Sequence, residues 1–287
     1  MADNADFLAR FDAMSNKAAA TVISTYSTSF SLASRMLAPQ IRRDIEALYA
    51  MVRVADEIVD GTAKAAGCMP AEIAEILDIY ERNVLASLDT QFHTDPIIQA
   101  FGNTARKCHF KREHIEAFFA SMRRDLSQTA YDPAQLDQYM YGSAEVIGLM
   151  CLDVFLQDLA PQPAERATME EGAQRLGAAF QKVNFLRDWA EDSQELGRSY
   201  LSTFDQTSRD ILIADIRGDL DAARSSIPLL PLGARAGVRA ATDLYDCLVD
   251  NLEAASLEDV ASGRISVSTR KKAGLATRAL WKELFRK

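Results

Sequence analysis

Apolar residues recur at helical spacing in nearly every segment of this sequence, and no segment shows sustained alternation of period two. Such spacing places apolar side chains on one face of a helix. Glycine and proline number only 13 and 8 among 287 residues, about half of their average usage, whereas loop-rich β folds need more of these turn residues. The pattern therefore predicts an all-α chain. A clear example is the run Ile41, Ile45, Leu48, Met51, Val52 and Ala55.

Turn-forming residues interrupt the helical pattern, and the pieces between them predict about eight to ten helices. No break is long enough to form a linker, and no fixed internal period indicates a solenoid. We therefore predict a single domain over residues 1–287. The breaks lie at Met36–Gln40, Gly61–Pro70, Asp132–Pro133, Ala160–Pro163, Gly197–Thr203 and Pro228–Gly233.

The net charge and the spacing of the cysteines limit which partners and which cellular compartment the sequence predicts. The net charge of −9 is opposite in sign to the basic face that nucleic-acid binding requires, so we expect no nucleic-acid partner. The four cysteines are far apart and form no CxxC pair, which favours a reducing cytoplasm over a disulfide framework. The acidic N-terminus has neither the basic region nor the apolar core of a signal peptide.

The C-terminal tail combines basic with apolar residues. We interpret it as a terminal helix packed by its apolar side, and the alternative is a peripheral contact with a membrane surface. The longest uncharged stretch, Ala18–Ser34, is too rich in Ser and Thr to span a bilayer. The tail contains Arg270, Lys271, Lys272, Arg278, Lys282, Arg286 and Lys287 around Leu275, Leu280, Trp281, Leu284 and Phe285.

Two segments place acidic residues one turn apart on a predicted helix. Like charges at this spacing repel, so each row needs a basic partner or a metal ion. A solvated acidic face with Arg53 as its partner is the alternative for the first row alone. The first row is Tyr49, Arg53, Asp56 and Asp60, and the second is Gln181, Asn184, Asp188 and Asp192.

The second row strengthens the metal hypothesis. Gln181 and Asn184 stand within an apolar stretch, where burying an amide without hydrogen bonds is costly. Mg²⁺ takes oxygen ligands and commonly binds one or two carboxylates together with water and substrate phosphate. The two rows therefore predict facing carboxylate helices with cations between them.

Four segments occur between positions 27 and 200 in an order that resembles the squalene and phytoene synthase family of isoprenoid synthases. The resemblance implies an all-α, single-domain helical bundle around a central apolar cavity. The segments are Ser27-Thr-Ser-Phe30, Tyr49 to Asp60, Tyr139 to Gly148, and Leu176 to Asp192 continuing to Gly197-Arg198-Ser-Tyr200.

The resemblance implies a prenyltransferase that condenses two prenyl diphosphates head to head through a cyclopropylcarbinyl diphosphate, using Mg²⁺, with Mn²⁺ as the alternative ion. Bound cations would stabilise the charge that develops on the leaving diphosphate. Arg53 and Arg187 would donate hydrogen bonds to diphosphate oxygens, and Gln181 would orient them. The implied metal ligands are Asp56, Asp60, Asn184, Asp188 and Asp192, of which the four aspartates also count as catalytic.

The same resemblance assigns residues around the reacting carbons and the mouth of the site. Aromatic faces stabilise a carbocation without reacting with it, and Phe30 and Tyr139 are the implied examples, Tyr139 also assisting proton movement. Arg198 and Tyr200 resemble a segment that closes over the diphosphate. Ser27 and Tyr49 complete the substrate-binding set. Secondary candidates, for which plain core packing is the alternative, are Tyr26, Tyr49, Tyr141 and Phe180.

Ser34 follows Phe30 by one helical turn, and its small side chain leaves room for a long prenyl tail. This favours geranylgeranyl diphosphate and hence phytoene, made through prephytoene diphosphate in carotenoid biosynthesis, with downstream carotenoid enzymes as candidate partners. The alternative is a dehydrosqualene or squalene synthase that uses farnesyl diphosphate. The chain shows no GxGxxG fingerprint, and we expect no use of NADPH.

Two further classes share parts of this pattern. A terpene cyclase or prenyl hydrolase would also use acidic helices and Mg²⁺, but the segment Tyr139 to Gly148 argues against it. A non-catalytic helical assembly factor is the remote alternative, because folds persist after chemistry is lost. All four aspartates are present, which argues against such a loss.

Overall fold

The computed structural model describes residues 4–128, 130–189, 205–262 and 265–284, and every regular element in these ranges is helical. This confirms the all-α prediction. The helices are α1 (Asn4–Tyr26), α2 (Thr28–Ser34), α3 (Pro39–Val59), α4 (Thr62–Ala65), α5 (Pro70–Ala86), α6 (Pro96–Cys108), α7 (Arg112–Asp125), α8 (Pro133–Met140), a π-helical turn (Tyr141–Glu145), α9 (Val146–Phe155), α10 (Pro163–Arg187), α11 (Gln206–Ser226), a 3₁₀ turn (Ile227–Leu229), α12 (Leu232–Ala254), α13 (Leu257–Ser262) and α14 (Thr269–Leu284).

The predicted number of eight to ten helices was too low for the described residues. Proline begins five of these helices, as its fixed φ and missing N–H favour, and most of those starts were predicted. The start of α6 at Pro96 was missed although it carries a proline, whereas two other missed boundaries lack both glycine and proline. Ser27 separates α1 from α2 by accepting a hydrogen bond from the Phe30 N–H at 3.1 Å, and His109 ends α6 in the left-handed conformation with φ 56°.

Two hydrophobic cores lie on either side of a cavity. One core joins α3 to α5, α6, α7 and α9, and the other joins α10 to α11 and α12. Side chains of both cores, such as Leu48 of the first and Leu244 of the second, line the cavity. Helices α3 and α10 therefore bring the two predicted carboxylate rows to one cavity.

Two glycines allow α10 to approach its neighbours at backbone distance. A Cβ atom at Gly148 would lie 2.2 Å from the Ala173 carbonyl oxygen, and one at Gly177 would lie 2.4 Å from that of Ala144. Such distances exclude any side chain without a backbone shift. The glycines thus set how closely α10 packs against α9 and the π-helical turn.

The C-terminal helix α14 packs on α12 and α2. Leu275 packs on the core of α10, α11 and α12, which confirms the predicted packing of the tail by its apolar side for that residue. Ala276 and Ala279 are also buried, and Arg239 Nε lies 2.6 Å from Glu283 Oε1. None of the helices in the described part of the chain carries an apolar stretch that could span a bilayer. The four cysteines form no disulfide.

His114 on α7 gives a prediction for the pH dependence of stability. Burial lowers the pKa of His114, Lys111 acts in the same direction, and Glu113 and Glu170 oppose it. Below the ordinary histidine pKa of about 6.5, the unfolded chain therefore binds a proton that the folded chain resists, so the free energy of unfolding falls as the pH falls. We expect His114→Gln to flatten this dependence between about pH 7 and 5, as followed by denaturant unfolding.

The exposed His109, changed to Asn, is the matched control because asparagine tolerates its left-handed backbone. We expect that variant to retain the slope of the wild type. An unchanged slope in His114→Gln would show that His114 does not contribute to acid sensitivity.

Candidate active site

A cavity of about 870 Å³ occupies the space between the two cores. This volume lies within the range of roughly 300–1,000 Å³ that is typical of small-molecule sites. Of the fifteen site residues predicted from the sequence, the structure brings twelve together in its walls, while Asp192, Arg198 and Tyr200 lie outside the described residues. The twelve are Ser27, Phe30, Ser34, Tyr49, Arg53, Asp56, Asp60, Tyr139, Gln181, Asn184, Arg187 and Asp188.

The first acidic row lies at the C-terminal end of α3. The helix ends at Val59, and the Asp60 N–H still donates to the Asp56 carbonyl oxygen at 2.8 Å. Asp60 is therefore the exposed capping residue of α3, one turn after Asp56, and both acids line the cavity. Burial raises the pKa of Asp56 well above its usual range, and the charges of Asp60 and Asp125 add to this effect.

Arg53 does not serve as the partner of this row in the way the sequence suggested. Its guanidinium pairs with Glu57 one turn further along α3 and lies over the Tyr26 ring, 4.4 Å from the centroid. The Arg53 Nε atom is buried and makes no hydrogen bond to any residue that the structure describes. Arg53 thus pairs with Glu57, lowers the pKa of Asp56 through its charge, and presents its Nε donor in the wall of the cavity.

The second row lies at the C-terminal end of α10. The helix ends at Arg187, and Asp188 follows it as the capping residue. Arg187 Nε donates to Asp188 Oδ1 at 2.8 Å, so this guanidinium pairs with its neighbouring carboxylate. The Oδ1 atom of Asn184 is buried and, among the described residues, has no hydrogen-bond donor, so it offers an oxygen ligand in the wall of the cavity.

These oxygen donors fit a magnesium ion that also binds substrate phosphate. Within the described residues, no group of three or more His, Cys, Asp or Glu side chains could hold a metal ion. Mg²⁺, however, commonly takes one or two carboxylates and completes its shell with water and phosphate. Asp56, Asp60 and Asp188, with the unused oxygen of Asn184, meet that smaller demand.

An aromatic wall lies beneath the acidic rows. The Phe30 ring centroid is 6.1 Å from that of Tyr49, 5.7 Å from Phe180 and 5.9 Å from Tyr245, and Phe180 stacks on Tyr245 at 3.8 Å. Among the secondary candidates, Tyr141 does not line the cavity and is 38% exposed. The wall offers several π faces to one region of the cavity, where a carbocation would be stabilised.

Tyr139 is buried and makes a hydrogen bond within the cavity. Its hydroxyl donates to Asp125 Oδ2 at 3.1 Å, and its carbonyl oxygen accepts from Ser121 Oγ at 3.2 Å. The π-helical turn begins two residues later, and such turns often occur at functional sites. A phenol and a carboxylate that share a proton can accept or deliver one during a reaction.

Asp125, Tyr245 and Lys272 are polar or aromatic residues of the cavity wall that were not predicted from the sequence. Asp125 ends α7 behind two arginines and looks like an ordinary surface acid, Tyr245 lies in the regular pattern of α12, and Lys272 lies in the basic tail. Lys272 Nζ donates to Thr28 Oγ1 at 2.8 Å across the mouth. No local signal marks any of them, because each reaches the cavity only through tertiary packing.

The fold and this cavity together define an all-α isoprenoid synthase. Residues 23–205 match the family model described as squalene/phytoene synthase, which covers more than half of the chain. The chain therefore belongs to the squalene/phytoene synthase family and is a prenyltransferase, with prenyl diphosphates as its substrate class.

Curated relatives and solved structures agree with this membership. The chain is 32% identical over 277 residues to the 15-cis-phytoene synthase of Synechocystis sp., a match that covers 88% of this chain and 80% of the relative. It is also 32% identical over 204 residues to the 4,4'-diapophytoene synthase of Staphylococcus haemolyticus, covering 68% of this chain and 64% of that protein.

Two solved structures share the fold. A dehydrosqualene synthase in complex with ligand aligns with a TM-score of 0.78 at 22% identity, covering 96% of this chain and 98% of that chain. The squalene synthase HpnC from Alicyclobacillus acidocaldarius aligns with a TM-score of 0.69 at 16% identity, covering 88% and 95%.

Proposed function

We propose that the protein condenses two molecules of geranylgeranyl diphosphate head to head, through prephytoene diphosphate, to phytoene in carotenoid biosynthesis. The observation that carries this proposal is the single cavity with acidic residues of α3 and α10 at one end, an aromatic wall beneath them and apolar side chains beyond. This order matches a substrate with a charged head, a reactive first carbon and a long hydrocarbon tail.

The charged end of the cavity suits the diphosphate heads. Arg53 and Arg187 line it, and a guanidinium binds diphosphate oxygens in a bidentate manner. Asp56, Asp60, Asn184 and Asp188 would hold Mg²⁺, with Mn²⁺ as the alternative ion. Bound there, the metal would neutralise charge that develops on the departing diphosphate.

The aromatic wall suits the carbocation formed when a diphosphate leaves. Phe30, Phe180 and Tyr245 present π faces that stabilise positive charge without attacking it, and the apolar surroundings exclude the water that would quench it. Attack by the double bond of the second substrate forms the new carbon–carbon bond. Closure of the cyclopropane ring then releases a proton, and we assign Tyr139 to accept it while the hydroxyl proton of Tyr139 passes along the hydrogen bond to the Asp125 carboxylate.

A dehydrosqualene or squalene synthase is the second candidate. It is favoured by the staphylococcal relative, whose name designates a 4,4'-diapophytoene synthase and whose identity equals that of the cyanobacterial one. The two candidates share the acidic and aromatic parts of the cavity and differ only in the tail that they accept. We propose that neither NADPH nor another reductant takes part.

One experiment tests this proposal. Purified protein is incubated with farnesyl or geranylgeranyl diphosphate, each with and without Mg²⁺ and NADPH, and the hydrocarbon is identified by mass. We expect phytoene from geranylgeranyl diphosphate with Mg²⁺ alone. A larger yield from farnesyl diphosphate would establish the second candidate, and products containing one substrate chain would overturn both.

Ser34 gives a prediction for chain length. It lies one turn after Phe30, is 3% exposed and lines the cavity, with its hydroxyl donating to the Ser31 carbonyl oxygen at 3.0 Å. We expect Ser34→Phe to fill part of the tail space and to shift the ratio of kcat/KM toward farnesyl diphosphate by roughly tenfold or more. Competition between the two diphosphates measures this ratio. Ser34→Ala is the control and should keep the ratio of the wild type.

A further inference from the structure

The end of the cavity farthest from the acidic rows is closed by four apolar side chains, which we call the floor cluster: Leu152, Phe155, Met169 and Leu230. They pack on one another and all line the cavity. Leu152, Met169 and Leu230 are 2%, 2% and 5% exposed. They come from α9, from the start of α10 and from the residue after the 3₁₀ turn, so three separate elements meet here.

Two helices independently place this cluster opposite the charged end. Along α10, Met169 precedes Asp188 by 19 residues, which is about 28 Å of helix. Along α8, the π-helical turn and α9, Phe155 follows Tyr139 by 16 residues, or about 24 Å. A prenyl tail that enters with its diphosphate at the acidic rows therefore points toward the floor cluster.

The walls just above the floor cluster are formed by small residues. Gly172, Ala173, Ala223 and Ser226 line this part of the cavity. A Cβ atom at Gly172 would lie 2.0 Å from Ser226 Oγ, so α10 and α11 are in direct contact here. Widening the cavity at this level would break that contact. The depth of the cavity is thus set by the floor cluster, while its width is set by the small residues.

We propose that the floor cluster determines the longest prenyl tail that the enzyme accepts, with Met169 as its main residue. The proposal rests on the proposed function, since it assumes a prenyl diphosphate bound by its head at the acidic rows. It differs from the Ser34 prediction, because Ser34 lies one turn from Phe30, near the aromatic wall. A tail longer than the cavity must displace Met169, which is held on several sides by the cluster.

The test compares kcat/KM for farnesyl, geranylgeranyl and geranylfarnesyl diphosphates, which differ by one prenyl unit each. We expect Met169→Ala to raise the ratio of kcat/KM for geranylfarnesyl diphosphate to kcat/KM for geranylgeranyl diphosphate by roughly tenfold or more. A few buried carbons change kcat/KM by that factor in a hydrophobic pocket. Ala173→Leu, which fills the cavity one turn closer to the mouth, should instead lower the ratio of geranylgeranyl over farnesyl diphosphate.

Two controls separate cavity shape from general loosening. Met169→Leu conserves volume and should keep the preference of the wild type. Met51→Ala truncates another fully buried methionine, which lies in the α3 core and outside the cavity lining, so it should lower the melting temperature without changing substrate preference. A shift in preference in Met51→Ala equal to that in Met169→Ala would overturn the proposal.

Failure of this inference can be distinguished from failure of the proposed function. If the wild type forms coupled hydrocarbon but both Met169→Ala and Ala173→Leu keep its chain-length ratios, the floor cluster does not limit the tail. If the wild type forms no coupled product, the proposed function fails. Equilibrium binding of thiolodiphosphate analogues of the three substrates then tests the role of the floor cluster without turnover. If Met169→Ala shifts the binding preference toward the longest analogue, the floor cluster limits the tail. If the binding preference of Met169→Ala equals that of the wild type, the inference is overturned.

Discussion

Replacing Asp56 or Asp188 by asparagine is expected to lower turnover by roughly 10²- to 10³-fold or more, the loss seen when one group that stabilises transition-state charge is removed. Each aspartate lines the charged end of the cavity, one on each carboxylate helix. Asparagine keeps the size of the side chain and removes its charge, so the fold should remain. Initial rates with saturating substrate and Mg²⁺ measure the effect.

The two variants should differ in stability. Asp56 is half-buried, and its pKa is raised by desolvation and by the nearby charges of Asp60 and Asp125, so removing its charge should raise the melting temperature of the metal-free protein. Asp188 is paired with Arg187, and its replacement removes an attractive contact. A protein that holds repelling charges together at its functional site commonly becomes more stable when one of those charges is removed.

Asp89→Asn provides the matched control for charge. Asp89 is exposed, pairs with Arg112 and does not line the cavity, so that variant should keep both the turnover and the melting temperature of the wild type. Turnover at the wild-type level in purified Asp56→Asn or Asp188→Asn would remove that aspartate from the mechanism. If Asp89→Asn lost as much turnover as the other two variants, the loss would be a consequence of the change in net charge.

The parts of this molecule that were predictable from the sequence are those determined by residues close together along the chain. Helical periodicity is a local property, which is why the all-α class and four of the five helix starts at proline agree with the structure. Asp56 and Asp188 were found because residues three or four apart share a helical face. The same rule left the partner of Arg53 open, since Asp56 and Glu57 lie three and four residues away, and the structure selects Glu57.

The parts that could not be predicted depend on where helices end and on which helices meet. His109 ends α6 in the left-handed conformation without a glycine or proline to mark the boundary. Tyr245 and Asp125 join the cavity from α12 and α7, which contribute no recognisable motif. Only the tertiary packing of α7 and α12 shows that these residues line the same cavity as the acidic rows.

Tyr139 and Asp125 give the second prediction of a large effect. Their hydrogen bond of 3.1 Å is buried in the cavity wall, near the aromatic residues Tyr131 and Phe185 at ring-centroid distances of 5.1 and 6.2 Å. If Tyr139 accepts the proton released on ring closure, Tyr139→Phe should lower kcat by roughly 10²- to 10⁴-fold, the range for loss of a general acid or base.

A double-mutant cycle shows whether the two residues act as one unit. We expect Asp125→Asn to lower kcat nearly as much as Tyr139→Phe, and the double variant to be little worse than either, because residues of one hydrogen-bonded pair are not additive. Additive losses would mean that Asp125 acts on Asp56 and not through Tyr139. Phe185→Leu, which alters a neighbour of the Tyr139 ring without removing the hydroxyl, is the control and should cost far less.

Release of the first diphosphate and loss of the proton are separate steps of the reaction, and the two variants should affect them differently. Departure of the first diphosphate needs no base, so Tyr139→Phe should still release diphosphate from substrate, whereas Asp56→Asn should not. Measuring diphosphate release and coupled hydrocarbon in the same assay distinguishes these cases. Loss of both signals in Tyr139→Phe would place the tyrosine in substrate ionisation or binding, and a normal yield of hydrocarbon would remove it from the mechanism.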